Sequence, residues 1–171
     1  MILILDNIRS LHNVGSILRT ADGAGFARHS LGDGGGGKVY LCGITPSPLD
    51  RFKKVRPEVA KTALGAEKTV PWEKVDDTDA LIEELKKDGY QIVAVEQAPN
   101  SIPYYKLSTM DYKLERLALV FGHEVDGVSK TVLEKADKII EIPMSGTKES
   151  LNVSISVGII LFHFRDRAEL T

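Results

Sequence analysis

The sequence predicts an α/β fold, in which a mostly parallel sheet carries helices on both faces. Three observations support this prediction. Short apolar runs typical of buried strands recur along the chain, amphipathic segments typical of helices separate them, and strands joined through helices generally pair in parallel. No internal repeat and no linker rich in proline or serine divides the 171 residues, so we expect a single domain over residues 1–171.

The N-terminal part of the chain begins this alternation. Residues 2–5 form an apolar run that ends at an acidic residue, which is typical of a buried strand. Residues 14–24 predict a helix that ends at Gly25, and residues 38–42 predict a second strand. Prolines follow at positions 46, 48 and 57, so we expect an irregular stretch there.

The clearest amphipathic helix is predicted at residues 77–88. Its apolar stripe consists of Leu81, Ile82 and Leu85. Asp77 or Thr78 can cap its first turn, and the glycine at position 89 ends it.

Three further strands and a short helix are predicted after this point. The strands lie at residues 90–95, 117–121 and 139–142, and Ser129 can cap a helix that runs to residue 136. The stretch from residue 151 is ambiguous. Its apolar residues alternate with smaller ones, as in a strand, yet the same stretch also has helical spacing and continues into a helix-favouring segment. The residue pattern alone leaves this element open.

Composition excludes several classes of protein. Cys42 is the single cysteine, so a scaffold of intrachain disulfides is excluded. The longest uncharged apolar run, near residues 157–162, is far shorter than the roughly 20 residues of a membrane span. The first residues lack the basic start of a signal peptide, so we expect a cytoplasmic protein. A net charge of −2 argues against a broadly basic nucleic-acid-binding domain.

Two further patterns argue against a metal site and against a phosphate-binding loop. The four histidines are scattered without metal-ligand spacing, so we expect no metal, and His163 is expected to be a hydrogen-bonded core or interface residue. The glycine run at residues 32–37 lacks the Gly-Lys-Ser/Thr sequence of a phosphate loop and precedes a strand. We therefore interpret it as a flexible connection.

Polar residues interrupt core-like sequence in three segments, at residues 7–21, 121–127 and 142–154. The polar and glycine residues that mark these segments are Asn7, Ser10, Asn13, Gly15, Arg19 and Thr20 in the first, Gly122, His123, Glu124 and Gly127 in the second, and Gly146, Ser150, Asn152 and Ser154 in the third. The last two segments follow predicted strands. Ligands of α/β sheets bind beyond the carboxyl ends of the strands, so both loops are placed to form a site.

In this order, the three segments resemble the three motifs of the SpoU (TrmH-type) RNA ribose methyltransferases of the SPOUT superfamily. The resemblance extends from about residue 5 to about residue 164. It implies 2′-O-methylation of RNA by S-adenosylmethionine, a deep trefoil knot in the C-terminal part, and a homodimer with its active sites near the interface. It also implies that residues from 151 onward form a helix.

The resemblance also implies roles for individual residues. The catalytic candidates are Arg19, Asn13, Glu124, Ser150 and Asn152, and the cofactor-binding candidates are Gly122, Ile142, Met144 and Leu151. The family proposal makes Arg19 the general base, but deprotonating an ordinary arginine at pH 7 costs about 8 kcal/mol. Alternatively, Arg19 stays cationic, orients a phosphate and stabilises the developing alkoxide. Glu124 could organise its loop instead of touching the substrate.

RNA is the partner that the resemblance implies, and no separate RNA-binding domain is expected. The candidate RNA contacts are Arg51, Lys53, Lys54 and Arg56, which surround one aromatic residue. A solvated charged face is the alternative interpretation. The small size of the domain favours tRNA as the substrate. The alternatives are rRNA, or a non-catalytic RNA-binding relative. A nucleotide-dependent oxidoreductase is disfavoured because no Gly-x-Gly-x-x-Gly sequence joins a strand to a helix.

Overall fold

The computed structural model describes residues 1–26, 37–107 and 113–168. Its seven strands form one parallel sheet in the order β3-β2-β1-β6-β4-β7-β5. The strands are β1 (Ile2–Asp6), β2 (Lys38–Cys42), β3 (Trp72–Val75), β4 (Gln91–Val95), β5 (Ile102–Pro103), β6 (Leu117–Phe121) and β7 (Lys138–Glu141). The helices are α1 (Leu11–Gly23), α2 (Pro57–Ala63), α3 (Ala66–Thr69), α4 (Thr78–Lys87), α5 (Lys130–Lys135) and α6 (Val153–Ala168).

The sheet is buried on both faces, which confirms the predicted fold class. Alternate residues of β1 point to opposite faces, so Leu3 and Leu5 pack in one apolar cluster and Ile2 and Ile4 in the other. The first cluster includes residues of α1, α2, α3 and α6, and the second includes residues of α4 and α5. Continuous apolar strands are therefore required here because neither face of the sheet meets water.

Helix α1 begins three residues before its predicted start. Ser10 is the N-cap residue, and its side-chain oxygen accepts a hydrogen bond from the backbone N–H of Asn13 at 3.3 Å. The cap places Asn13 in the first turn of the helix, next to the end of β1. The first polar segment thus lies at the carboxyl edge of the sheet.

The ambiguous C-terminal stretch is helix α6. Val157, Ile160, Leu161 and Phe164 are fully buried or nearly so, and α6 packs against α1. Burial at helical spacing outweighs the strand preference of the β-branched residues. His163 lies on the same helix, and its ring packs edge-to-face with the ring of Tyr104, with ring centroids 4.8 Å apart.

The expectation of an irregular stretch after the second strand is only partly correct. Pro57 is the first residue of α2, a position where proline is favoured because its fixed φ suits the first helical turn. The short elements α3, β3 and β5 are also absent from the sequence prediction. Residues 32–36 of the glycine run lie outside the described residues, so its interpretation as a flexible connection stays a prediction.

All seven strands run in the same direction, so their carboxyl ends share one edge of the sheet. The loops after β1, β4, β6 and β7 therefore meet there. Strand β7 follows β6 in the sequence but lies on the far side of β4. The deep trefoil knot stays a prediction. None of the helices in the described ranges combines the length and the hydrophobicity of a membrane span.

Candidate active site

A continuous line of hydrogen bonds joins one residue from each of the three polar segments. The carboxylate of Glu124, in the loop after β6, accepts a hydrogen bond from the side-chain amide of Asn13 at 2.9 Å. The amide oxygen of Asn13 in turn accepts one from the side-chain amide of Asn152 at 3.1 Å. Three residues that are distant in the sequence are thus brought together at the carboxyl edge of the sheet.

Glu124 is held by backbone as well as side-chain donors. Its Oε2 accepts the N–H of Arg9 at 2.9 Å, and its Oε1 accepts the N–H of Ser10 at 3.0 Å. Partial burial disfavours the carboxylate, but hydrogen bonds from Arg9, Asn13 and Ser10 lower the pKa of Glu124 below its ordinary value. An ionised carboxylate with both oxygens engaged is suited to positioning its donors and is a poor proton acceptor.

Asn152 connects the site to helix α6. Its Oδ1 accepts the backbone N–H of Ser154 at 2.9 Å, and its backbone oxygen accepts the N–H of Ile155 at 2.9 Å. These contacts are those of an N-terminal cap. Asn152 therefore stabilises the start of α6 while its amide nitrogen reaches Asn13 on α1.

A cavity of about 350 Å³ lies beside this line, between the loops that follow β4, β6 and β7. All four cofactor-binding candidates line it, namely Gly122, Ile142, Met144 and Leu151. A Cβ atom at Gly122 would collide with the backbone of Gly127 and Val128. Glycine is therefore needed at this position for the loop after β6 to close at the wall of the cavity.

The two remaining catalytic candidates lie in different surroundings. Ser150 lines the cavity and is exposed. Arg19 is on the exposed side of α1, roughly 9 Å along the helix axis from Asn13. Its guanidinium makes no hydrogen bond or ion pair to any residue that the structure describes. The structure thus brings Asn13, Glu124, Ser150 and Asn152 to one site and leaves Arg19 outside the hydrogen-bonded line.

Glu96 and Gln97, in the loop after β4, belong to the site but are absent from the sequence prediction. Glu96 Oε2 accepts the N–H of Val128 at 2.9 Å, and Gln97 Nε2 donates to the backbone oxygen of Glu149 at 2.6 Å. The pair therefore connects the loop after β4 to the loops after β6 and β7. Polar residues directly after a predicted strand are the signal that could have identified them.

The basic residues predicted to contact RNA lie on an exposed turn after β2. Arg51, Lys53 and Lys54 are exposed, whereas Arg56 is half-buried and its Nε donates to the backbone oxygen of Ser47 at 3.1 Å. Arg56 therefore anchors the base of the turn. The other three cations are presented to solvent.

Cys42 is not a candidate nucleophile. Its side chain is fully buried beneath the sheet edge, and burial, together with the negative charge of Asp6, raises the pKa of the thiol to about 12. The thiol is therefore protonated at neutral pH. Within the described ranges, no cluster of histidine, cysteine, aspartate or glutamate could hold a metal ion.

Known proteins resemble the chain in sequence and in structure. Residues 43–162 match the model of the SpoU rRNA methylase family. The 23S rRNA (guanosine-2′-O-)-methyltransferase RlmB of Neisseria meningitidis serogroup B is 34% identical over 165 residues, which cover 96% of this chain and 58% of that protein.

Two solved structures support the same relationship. The TrmH/SpoU tRNA modifying enzyme of A. aeolicus superposes with a TM-score of 0.78 at 31% identity, over 99% of this chain and 75% of that one. An AdoMet-bound rRNA methyltransferase from Sinorhizobium meliloti gives a TM-score of 0.80 at 28% identity, over 97% of this chain and 56% of that one.

The matched range contains the second and third polar segments and the cavity between them. The chain spans only 57% to 59% of the length of three curated relatives that it matches. The family match nevertheless covers most of this chain and agrees with the resemblance carried by the three segments. The chain therefore belongs to the SpoU rRNA methylase family.

Proposed function

We propose that this chain transfers a methyl group from S-adenosylmethionine to the 2′-oxygen of a ribose in RNA. The observation that carries the proposal is the hydrogen-bonded line from Glu124 through Asn13 to Asn152, which runs beside the cavity. A guanosine-2′-O-methyltransferase and a tRNA-modifying enzyme are among its relatives, which supports the same reaction class.

The cavity is suited to the cofactor in size and in chemistry. Its volume of about 350 Å³ lies in the range of small-molecule sites, about 300 to 1,000 Å³. Ile142 and Leu151 offer apolar walls for an adenine ring, and the carboxylates of Glu141 and Glu149 suit a ligand that carries ammonium and sulfonium charges. The AdoMet-bound relative supports this choice of ligand.

The cofactor supplies a methyl group that its sulfonium charge has already activated, so the tasks left to the chain are alignment and removal of a proton. Alignment requires the ribose oxygen to be held about 3 to 3.5 Å from the methyl carbon. We assign the orientation of that ribose to Ser150, which lines the cavity, and to the amides of Asn13 and Asn152 beside it. Arg19 acts either as proton acceptor or as the cation that holds the adjacent phosphate.

The proposed enzyme is a homodimer. The exposed side of α6 carries Ile155, which is 54% exposed, and Phe162, which is 37% exposed, two turns further along. A second copy that covers this apolar stripe would place α1, which packs on α6, near the interface. Arg19, which lies outside the hydrogen-bonded line of its own chain, would then lie near the second copy.

The substrate is expected to be tRNA in the cytoplasm, with 23S rRNA as the alternative, and the relatives include enzymes of both kinds. The test is transfer of a labelled methyl group from S-adenosylmethionine to unmodified transcripts of each RNA, followed by mapping of the modified nucleotide. We expect a 2′-O-methylated ribose in one of them. Cofactor binding without transfer to either RNA would contradict the proposal and support a non-catalytic RNA-binding relative.

A further inference from the structure

We propose that the turn at residues 49–55 docks single-stranded RNA, with an unpaired base stacked on Phe52 and the flanking cations on its phosphates. This surface rests on the proposed function and deepens it, because it names the kind of RNA segment that the enzyme contacts. Four features of the turn support the proposal: its rigidity, its exposed ring, its unpaired charges and its position in the fold.

The turn is fixed by its own hydrogen bonds. The Asp50 carboxylate accepts the backbone N–H groups of Phe52 at 2.8 Å and Lys54 at 2.9 Å. Leu49 and Val55 form an antiparallel bridge that closes its base. A surface that is ordered before binding loses less conformational entropy when a ligand docks. Phe52 and its neighbours are therefore already held in a defined arrangement.

Phe52 presents an aromatic ring to solvent. The side chain is 67% exposed, and the guanidinium carbon of Arg51 lies 4.7 Å from the ring centroid. Proteins that bind single-stranded nucleic acid combine aromatic rings, on which bases stack, with arginines that add cation–π attraction. A base in a duplex is already stacked on its neighbours, so this surface suits an unpaired base.

The cations of the turn lack acidic partners. Arg51, Lys53 and Lys54 make no ion pair to the residues that the structure describes, and the one carboxylate of the turn is engaged by backbone N–H groups. Four lysines elsewhere form ion pairs, namely Lys38, Lys74, Lys86 and Lys135. The turn is thus a local excess of positive charge on a chain whose net charge is −2. Phosphates match such a surface.

The position of the turn connects it to the candidate active site. It follows β2, so it lies at the same edge of the sheet as the cavity. The side-chain oxygen of Asn7, at the end of β1, accepts the N–H of Ile44 at 3.1 Å and so ties the first polar segment to the loop that carries the turn. Strand β2 is two strand spacings from β6, roughly 10 Å. This spacing between the strands is short compared with the length of an RNA strand of several nucleotides, so the proposal has one strand contact both the turn and the site.

The first test compares single-stranded with duplex RNA. Binding of a short fluorescein-labelled single-stranded RNA, and of a duplex of the same length, is measured by fluorescence anisotropy. Phe52→Ala is expected to weaken binding of the single-stranded probe about 5- to 150-fold, the range that stacking of one base provides. Phe52→Trp is expected to retain it. Leu64→Ala is the matched control because Leu64 is 65% exposed and lies outside the turn.

The second test concerns the phosphates. Each of Lys53→Ala and Lys54→Ala is expected to lower the slope of log affinity against log salt concentration by about 0.7 with the single-stranded probe. Lys87→Ala, an exposed lysine at the end of α4, is the control and should leave the slope unchanged.

Several outcomes would overturn the proposal. Unchanged affinity of Phe52→Ala for the single-stranded probe, or an equal loss with both probes, would exclude base stacking. A change in oligomeric state of Phe52→Ala with no change in RNA affinity would assign the turn to a protein contact. Calorimetric binding of S-adenosylmethionine separates these outcomes from failure of the proposed function. A chain that binds the cofactor but neither RNA probe contradicts both the surface and the RNA substrate.

Discussion

At the scale of single residues, the carboxylate of Glu124 holds the first polar segment against the second. Glu124→Gln replaces one acceptor oxygen by an NH2 group, which then faces the backbone N–H of either Arg9 or Ser10. We expect methyl transfer to fall about 10- to 100-fold, because a shift of about 1 Å in reacting groups has effects of this size. The assay of labelled methyl transfer measures this. Equal activity of Glu124→Gln and the exposed control Glu134→Gln would contradict the positioning role.

The same carboxylate makes the stability of the protein depend on pH. The folded state lowers the pKa of Glu124 below its ordinary value of 4.5, so its contribution is present above that pH and is lost as the pH falls through the folded pKa. Urea unfolding should therefore show a constant difference in free energy of unfolding between wild type and Glu124→Gln from about pH 5 to pH 7. The difference should shrink below about pH 4.5. A difference that grows in acid would contradict this sign.

Arg19 gives a second prediction at this scale. We expect Arg19→Lys to lose at least about tenfold in activity while it retains cofactor affinity, because lysine cannot grip a phosphate through two parallel hydrogen bonds. The measurement is kcat as a function of pH, together with cofactor binding. A variant whose activity matches wild type and rises with pH to a plateau near the lysine pKa of about 10.4 would instead assign proton acceptance to this position.

At the scale of elements, Glu96 and Gln97 connect three loops around the cavity. Glu96→Ala removes the acceptor of the backbone N–H of Val128, a residue that is only 4% exposed. We expect a loss of about 1 to 3 kcal/mol in the free energy of unfolding, because a buried donor is left unpaired. Weaker binding of S-adenosylmethionine should accompany it. The exposed residue Glu84 on α4 provides the control Glu84→Ala. Unchanged cofactor affinity in Glu96→Ala would show that the cavity does not depend on this connection.

The elements also show what sequence can and cannot predict. The strand at residues 117–121 and the cap at Asp77 are confirmed, because both depend on local pattern. Helix α6 is ambiguous in the sequence because β-branched residues favour a strand, and only packing against α1 resolves it. Helix α2 is missed because three prolines in this stretch predict irregular structure, although Pro57 occupies the first helical position.

The candidate site also has parts that the sequence predicts and parts that it does not. The loops after β6 and β7 are predicted because glycine and polar residues follow apolar runs there. The contact of Glu124 with Asn13 joins residues far apart in the sequence, and no periodicity encodes it. The resemblance to a family supplied the grouping of these residues, and the structure supplies the distances between them.

At the scale of the whole molecule, the proposed homodimer depends on the exposed side of α6. Ile155→Asp places a charge on the apolar stripe, so we expect it to shift the protein from dimer to monomer while circular dichroism shows an intact fold. Analytical ultracentrifugation measures the change. Ile44, which is 63% exposed, provides the control Ile44→Asp, and it should leave the mass unchanged. A wild-type chain that is monomeric at micromolar concentration would contradict the dimer.

The net charge of the molecule does not describe the charge of each part of its surface. A charge of −2 argues against a broadly basic surface, yet the ion pairs of the described residues are distributed so that the turn at residues 49–55 remains positive. Affinity for a polyanion depends on the local arrangement of cations more than on their total. A net charge of −2 is therefore compatible with binding of RNA at the turn.

Asn152 makes two different contacts, and both limit how this position can be substituted. The residue caps α6 through its oxygen and reaches Asn13 through its nitrogen, so one side chain stabilises the helix and takes part in the proposed site. In a deep mutational scan, substitutions of Asn152 should therefore lower both the abundance of the protein and its turnover. A designer who seeks a more thermostable variant would have to treat residue 152 as immutable and look for gains on the surface of α4 instead.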